Sequence, residues 1–181
     1  MLQSEREFRL AKQAAADIES LARATWIMAA SVSFIDGEWG QKELETFADM
    51  LQIMHDASKS KVVRDVAIFH AKDDRAVAIV EKGLKDWRGD LAKCGAALEK
   101  LPVSDAIRFI YWTRELGTRI ALAQNKGGWF GGSNSVSDNQ SKVILNTHLP
   151  LIGKKVMKEL VKGPDVNPLI NIDLWIEENG G

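Results

Sequence analysis

The chain has 181 residues, 45% of them hydrophobic, which is enough to bury one sizeable core without needing a second. Its 25 acidic and 24 basic side chains leave a formal net charge of -1, so no global field draws it to nucleic acid or to a membrane. The single cysteine, Cys94, excludes an internal disulfide and favours a reducing compartment, the cytoplasm. The charged N-terminus lacks the apolar core of an export signal, and no run of roughly 18 apolar residues predicts a membrane span.

From Ser4 onward, Phe8, Ala11, Ala15, Ile18, Ala22, Ala29 and Val32 recur at helical spacing, and Ser4 with Glu7 forms a capping-box pattern. This predicts a long amphipathic helix that fails near Asp36-Gly37. Leu44, Phe47, Leu51 and Met54 mark a second helix, antiparallel to the first across a tight turn. Val62, Val63, Val66 and Phe69 predict a third, Val77, Val80, Leu84 and Trp87 a fourth, and Leu91, Cys94, Leu98 and Leu101 a fifth, with Gly89 and Pro102 as breaks.

Ser104 caps a predicted sixth helix carrying Ile107, Ile110 and Arg114, which ends at Asn125-Lys126-Gly127-Gly128. A glycine-rich loop, Gly127 to Ser135, holds the large aromatics Trp129 and Phe130. Ser137 and Gln140 form a second capping-box pattern that starts a seventh helix, and Lys154 to Lys162 predicts an eighth. In residues 164–181, Ile170, Ile172, Leu174 and Ile176 alternate with polar residues or Trp175, a period of two that predicts an extended tail. The expected fold is all-α, a single-domain bundle of about seven or eight helices over residues 1–163, with the tail packed on it or on a partner.

Asp36, Gly37 and Glu43 match positions 5, 6 and 12 of a calcium-binding EF-hand loop, but Val32 and Phe34 fall at positions 1 and 3 and offer no side-chain oxygen. A standard EF-hand is excluded. Three carboxylates remain, Asp36, Glu38 and Glu43, around a glycine-permitted turn, and they could share a hard cation if a second cluster completed its shell. Asn125 precedes Gly127 much as Asp36 precedes Gly37, and Gln140 sits early in its helix as Glu43 does. The chain thus reads as two degenerate helix-turn-helix units, amides replacing carboxylates in the second. The alternative is that the acidic residues only favour a turn and a helix N-terminus.

An alanine-rich helix running into Asp36-Gly37-Glu38, followed by a helix with the early Glu43 and a later repeat, resembles the TerB-like tellurite-resistance family over about Ala22 to Gly153. The resemblance implies a non-enzymatic stress-response module. It also implies a divalent cation, Ca2+ or Zn2+, at Asp36, Glu38 and Glu43, with Asn125 and Gln140 where further acidic residues would be expected. Protein partners follow too, among them a TerC-like membrane protein, which would place the chain in the cytoplasm at the inner membrane face. The family includes members fused to a J domain, whose His-Pro-Asp tripeptide does not occur here.

No enzyme motif appears. His55, His70 and His148 form no metal-ligand spacing and read as helix-end or surface residues, while Cys94 lies on an apolar stripe. Ser133-Asn134 replaces the Lys-Ser/Thr of a phosphate-binding loop, and no strand precedes it. Lys154, Lys158 and Lys162, with Lys155 beside them, form a basic stripe that reads as a solvated face, though it could meet phosphates or anionic lipid. Trp26, Trp87 and Trp112 read as core or groove residues. The partner-binding candidates are Trp39, Trp129, Phe130 and Trp175, and they support a second reading, a metal-free helical adaptor that uses the glycine-aromatic loop and the tail.

Overall fold

A computed structural model describes residues 2–35, 40–72, 87–125 and 135–181. Among them lie eight α-helices and no strand: α1 (Leu2–Ser33), α2 (Gln41–Ala57), α3 (Lys61–Lys72), α4 (Trp87–Leu98), α5 (Val103–Asn125), α6 (Asp138–His148), α7 (Lys154–Leu160) and α8 (Pro168–Asn179). A single 3-10 turn, Leu149–Leu151, links α6 to the approach of α7. The helix predicted over Val77 to Leu84 lies outside the described residues.

α1 and α5 pack against each other along the middle of the bundle. α3, α4 and α6 lie on α1, and α2, α3 and α6 through α8 lie on α5. The core follows from where the large apolar residues fall. Leu21, Met28 and Val32 of α1 meet Phe109, Leu116 and Ile120 of α5, all fully buried in one cluster. Before Leu21, α1 offers Ala11 and Ala15 as its apolar face, and both remain exposed. A methyl group contributes too little burial to hold a face down, but alanine's high helix propensity keeps the segment helical. α1 is described from Leu2, so Ser4 lies within the helix rather than ahead of it.

α2 is rotated relative to the expected stripe: Phe47, Met50 and Met54 are buried, Leu51 is half-buried and Leu44 is exposed. Gly89 lies within α4, half-buried, where a single helical glycine is tolerated, and does not break it. Arg114, on the inward-facing stripe of α5, is explained by α8: it ion-pairs with Asp173 and donates to the Leu169 carbonyl at 3.2 Å.

The tail is the main correction. Residues expected to be extended form α8, which packs on α5 and α7 with Ile172 in the core. Asn167 caps the helix by accepting the Leu169 N–H at 3.0 Å, and Pro168 occupies the first turn. Because the tail is apolar at nearly every second position, Leu169, Ile172 and Ile176 also satisfy a helical period, and the cap decides between the two. Gly180, at φ +78°, ends the helix in a conformation that other residues rarely adopt. Lys59 and Arg108 then fasten the end, with the Lys59 N–H on the Gly181 carbonyl at 2.6 Å and Arg108 Nε on the Gly180 carbonyl at 2.9 Å.

Candidate functional site

α2 and α6 each follow a long helix, and each opens with the same device. At α2, the backbone N–H of Gly40 donates to Glu43 Oε2 at 3.0 Å. Glycine has no side chain to return the bond, so this is half of a capping box. It also leaves room, since a Cβ on Gly40 would sit 2.8 Å from that carboxylate oxygen. At α6 the box is complete: Ser137 N–H donates to Gln140 Oε1 at 3.0 Å, and Gln140 N–H donates to Ser137 Oγ at 3.3 Å.

Gln140 is fully buried and has a second task. Its Nε2 donates to Gln124 Oε1 at 2.8 Å, and Gln124 Nε2 donates to the Ser33 carbonyl at 2.9 Å. The end of α1, the end of α5 and the start of α6 are therefore joined by one chain of amide hydrogen bonds. Ser33 also contributes a buried hydroxyl that has no hydrogen-bond partner among the described residues.

Of the residues predicted to hold a cation, Asp36 and Glu38 lie outside the described residues. Glu43 is nearly buried at the third position of α2, Asn125 is the last residue of α5, and Gln140 is the third of α6. Among the described residues, no group of three or more His, Cys, Asp or Glu could hold a metal ion. Gln140 spends both ends of its amide on Ser137 and Gln124, so its chemistry here is structural. Of the partner candidates, Trp39, Trp129 and Phe130 lie outside the described residues. Trp175 is half-buried on α8 beneath Arg108, whose guanidinium lies 5.2 Å from the ring centre.

A second polar feature sits between α1, α2 and α3. His70 is buried, with its Nε2 2.6 Å from Thr25 Oγ1. The Thr25 hydroxyl donates its one proton to the Ala22 carbonyl at 2.7 Å, so His70 Nε2 is the donor to Thr25. Trp26 and Phe47 stack at 4.2 Å and meet the edge of the His70 ring. These rings, with Leu44, Leu51 and Ile68, line an apolar cavity of about 480 Å³.

The other titratable candidates are structural. Burial pushes the Cys94 thiol well above its usual range, which keeps it protonated and unreactive. His148 is fully buried, with Nδ1 2.8 Å from the Ile144 carbonyl and Nε2 3.2 Å from the Ile110 carbonyl. Burial, aided by the Arg114 charge, lowers it to about 4, so the ring is neutral and can donate to only one carbonyl. His55 is exposed beside Asp56, whose carboxyl lies below its usual range through hydrogen bonds from Gln52 and His55. All three histidines stand at helix ends, as expected, but two are buried.

Sequence reasoning missed Gln124, Thr25 and the Trp26–Phe47–His70 cluster. Each joins helices far apart in the chain, and only the glutamine's place near a helix end gave any local signal. No helix among the described residues is long and apolar enough to cross a membrane. The chain matches no known family, no characterised protein and no solved structure.

Proposed function

We propose that this chain is a non-enzymatic helical module of the TerB-like kind, which binds a divalent cation, Ca2+ or Zn2+, at the acidic turn Asp36-Gly37-Glu38 with Glu43. The observation that carries this reading is the matched opening of α2 and α6. Both helices place a Glu or Gln at the third position and turn its side chain back onto the N-cap N–H. Such a match is what two diverged helix-turn-helix units would leave behind. The first keeps a carboxylate beside an acidic turn, and the second has become a hydrogen-bonded lock. Carboxylate oxygens suit a hard cation, and Glu43 has one oxygen beyond the one that caps Gly40. In this reading Asn125 and Gln140 are the structural counterparts of the acidic residues, and the cation belongs to the first unit.

The module acts through protein contacts in the cytoplasm or at the inner membrane face, where a TerC-like membrane protein is the partner that the resemblance implies. Calorimetric titration of the full chain with Ca2+ and with Zn2+ tests the cation. Saturable heat that Asp36→Asn abolishes is the expected outcome, and no heat at millimolar metal sinks the reading. The second reading is the metal-free adaptor, favoured by the half-buried Trp175, which α8 holds at the surface under Arg108. Deleting Gly127 to Ser135, or Trp175→Ala, then removes a protein partner and leaves the helical circular dichroism signal unchanged.

A further inference from the structure

The connection between α7 and α8 carries a surface that the cation reading does not use. Asn171, buried in the first turn of α8, ties this connection together. Its Nδ2 donates to the carbonyls of Leu160 at 2.9 Å and Asp165 at 2.7 Å, while its Oδ1 accepts the Asp165 N–H at 3.0 Å. Pro164 and Pro168 stiffen the same stretch.

The residues next to these tied positions are Val161, Val166 and Ile170. Val161 is 66% exposed, Ile170 is 43% exposed and Val166 is fully exposed. Each adjoins in sequence a residue of the Asn171 network, so all three belong to one braced turn. Single exposed aliphatic residues are ordinary, but a trio on one braced turn is not.

The charges along this stretch are predominantly basic. Lys154 and Lys158 are exposed and make no ion pair among the described residues, and Lys162 stands beside Val161. Lys155 is turned away, held by Glu99 and the Leu101 carbonyl. The two carboxylates in the stretch are occupied, Glu159 by Lys162 at 2.6 Å and Asp165 by the Asn167 N–H at 2.7 Å. Over residues 154–170, four lysines against one Glu and one Asp leave a net charge of +2.

We propose that the α7–α8 turn docks on the surface of an anionic lipid bilayer. Val161, Val166 and Ile170 enter the boundary between headgroups and acyl chains, while Lys154 and Lys158 meet the phosphates. Exposed aliphatic side chains flanked by cations unpaired among the described residues match a surface that offers hydrocarbon beneath a sheet of negative charge. The inference is independent of the cation site.

The test is flotation of the full chain, with chelator present throughout, on vesicles of phosphatidylcholine mixed with phosphatidylglycerol and on vesicles of phosphatidylcholine alone. Binding to the anionic vesicles only is expected, weakened by added salt and by about five-fold for each of Lys154→Ala and Lys158→Ala. Val166→Asp, at a fully exposed position where the fold has nothing to lose, should weaken binding at least about ten-fold with an unchanged circular dichroism spectrum. No binding to anionic vesicles, equal binding to neutral ones, or Val166→Asp binding like the parent would each overturn the proposal. Because chelator is present, loss of the cation reading would leave every one of these results unchanged.

Discussion

α2 and α6 are built to one pattern and finished differently. Each follows a long helix, opens by turning a third-position side chain back onto its N-cap and ends with a histidine in its last turn. In α2 the capping side chain is the carboxylate of Glu43 and the terminal His55 is exposed. In α6 the cap is the fully buried amide of Gln140, and the terminal His148 is fully buried as well. A neutral amide can be buried because it both donates and accepts, and Gln140 uses both capacities. A carboxylate only accepts, and Glu43, itself nearly buried, accepts the Gly40 N–H with one oxygen. The pattern sets the helix starts, and in the proposed cation reading the charge is what separates the two.

The strongest way to break this distinction is to exchange the chemistry. Gln140→Glu would face a buried carboxylate oxygen toward Gln124 Oε1, and Gln124 cannot turn its amide to help without losing the Ser33 carbonyl. A loss of about 3–4 kcal/mol is expected, read from the urea midpoint near neutral pH.

The histidines give the next effect. His148 has a folded value of about 4 against the ordinary value of 6.5, so between these pH values the unfolded chain binds more protons than the folded one. Stability is therefore complete above pH 6.5 and falls as the pH drops toward 4, by roughly 3 kcal/mol from this group. His148→Gln should remove that part of the slope, and unfolding curves across this window measure it.

Gln140→Ala, which loses the cap and the Gln124 bond together, should cost about 2 kcal/mol. Glu43→Ala, which loses only the half box, should cost about 1 kcal/mol. Glu43→Gln should change metal-free stability by less than about 0.5 kcal/mol, because Gln140 already performs the same capping with an amide. Thermal unfolding without metal orders the three.

Much of this was legible in the chain. The start of α6 followed from the Ser137–Gln140 capping pattern, close in sequence, and Cys94 fell on a buried stripe as its spacing implied. The rotation of α2 was less legible, because Leu44 and Leu51 compete with Met50 for the core and only the neighbouring helices settle which wins. The tail was misread for a related reason: a segment apolar at almost every other place satisfies two periods at once, and the Asn167 cap carries more weight than the alternation. Nothing local could have paired Gln124 with both Ser33 and Gln140, which lie 91 and 16 residues away along the chain.

The most direct test of the central claim compares the parent chain with Glu43→Gln by thermal unfolding, with and without saturating Ca2+ or Zn2+. The account predicts the same metal-free midpoint for both, with metal raising the parent's midpoint and leaving that of the variant where it was. A midpoint that metal does not move in the parent, or moves equally in both, would contradict it.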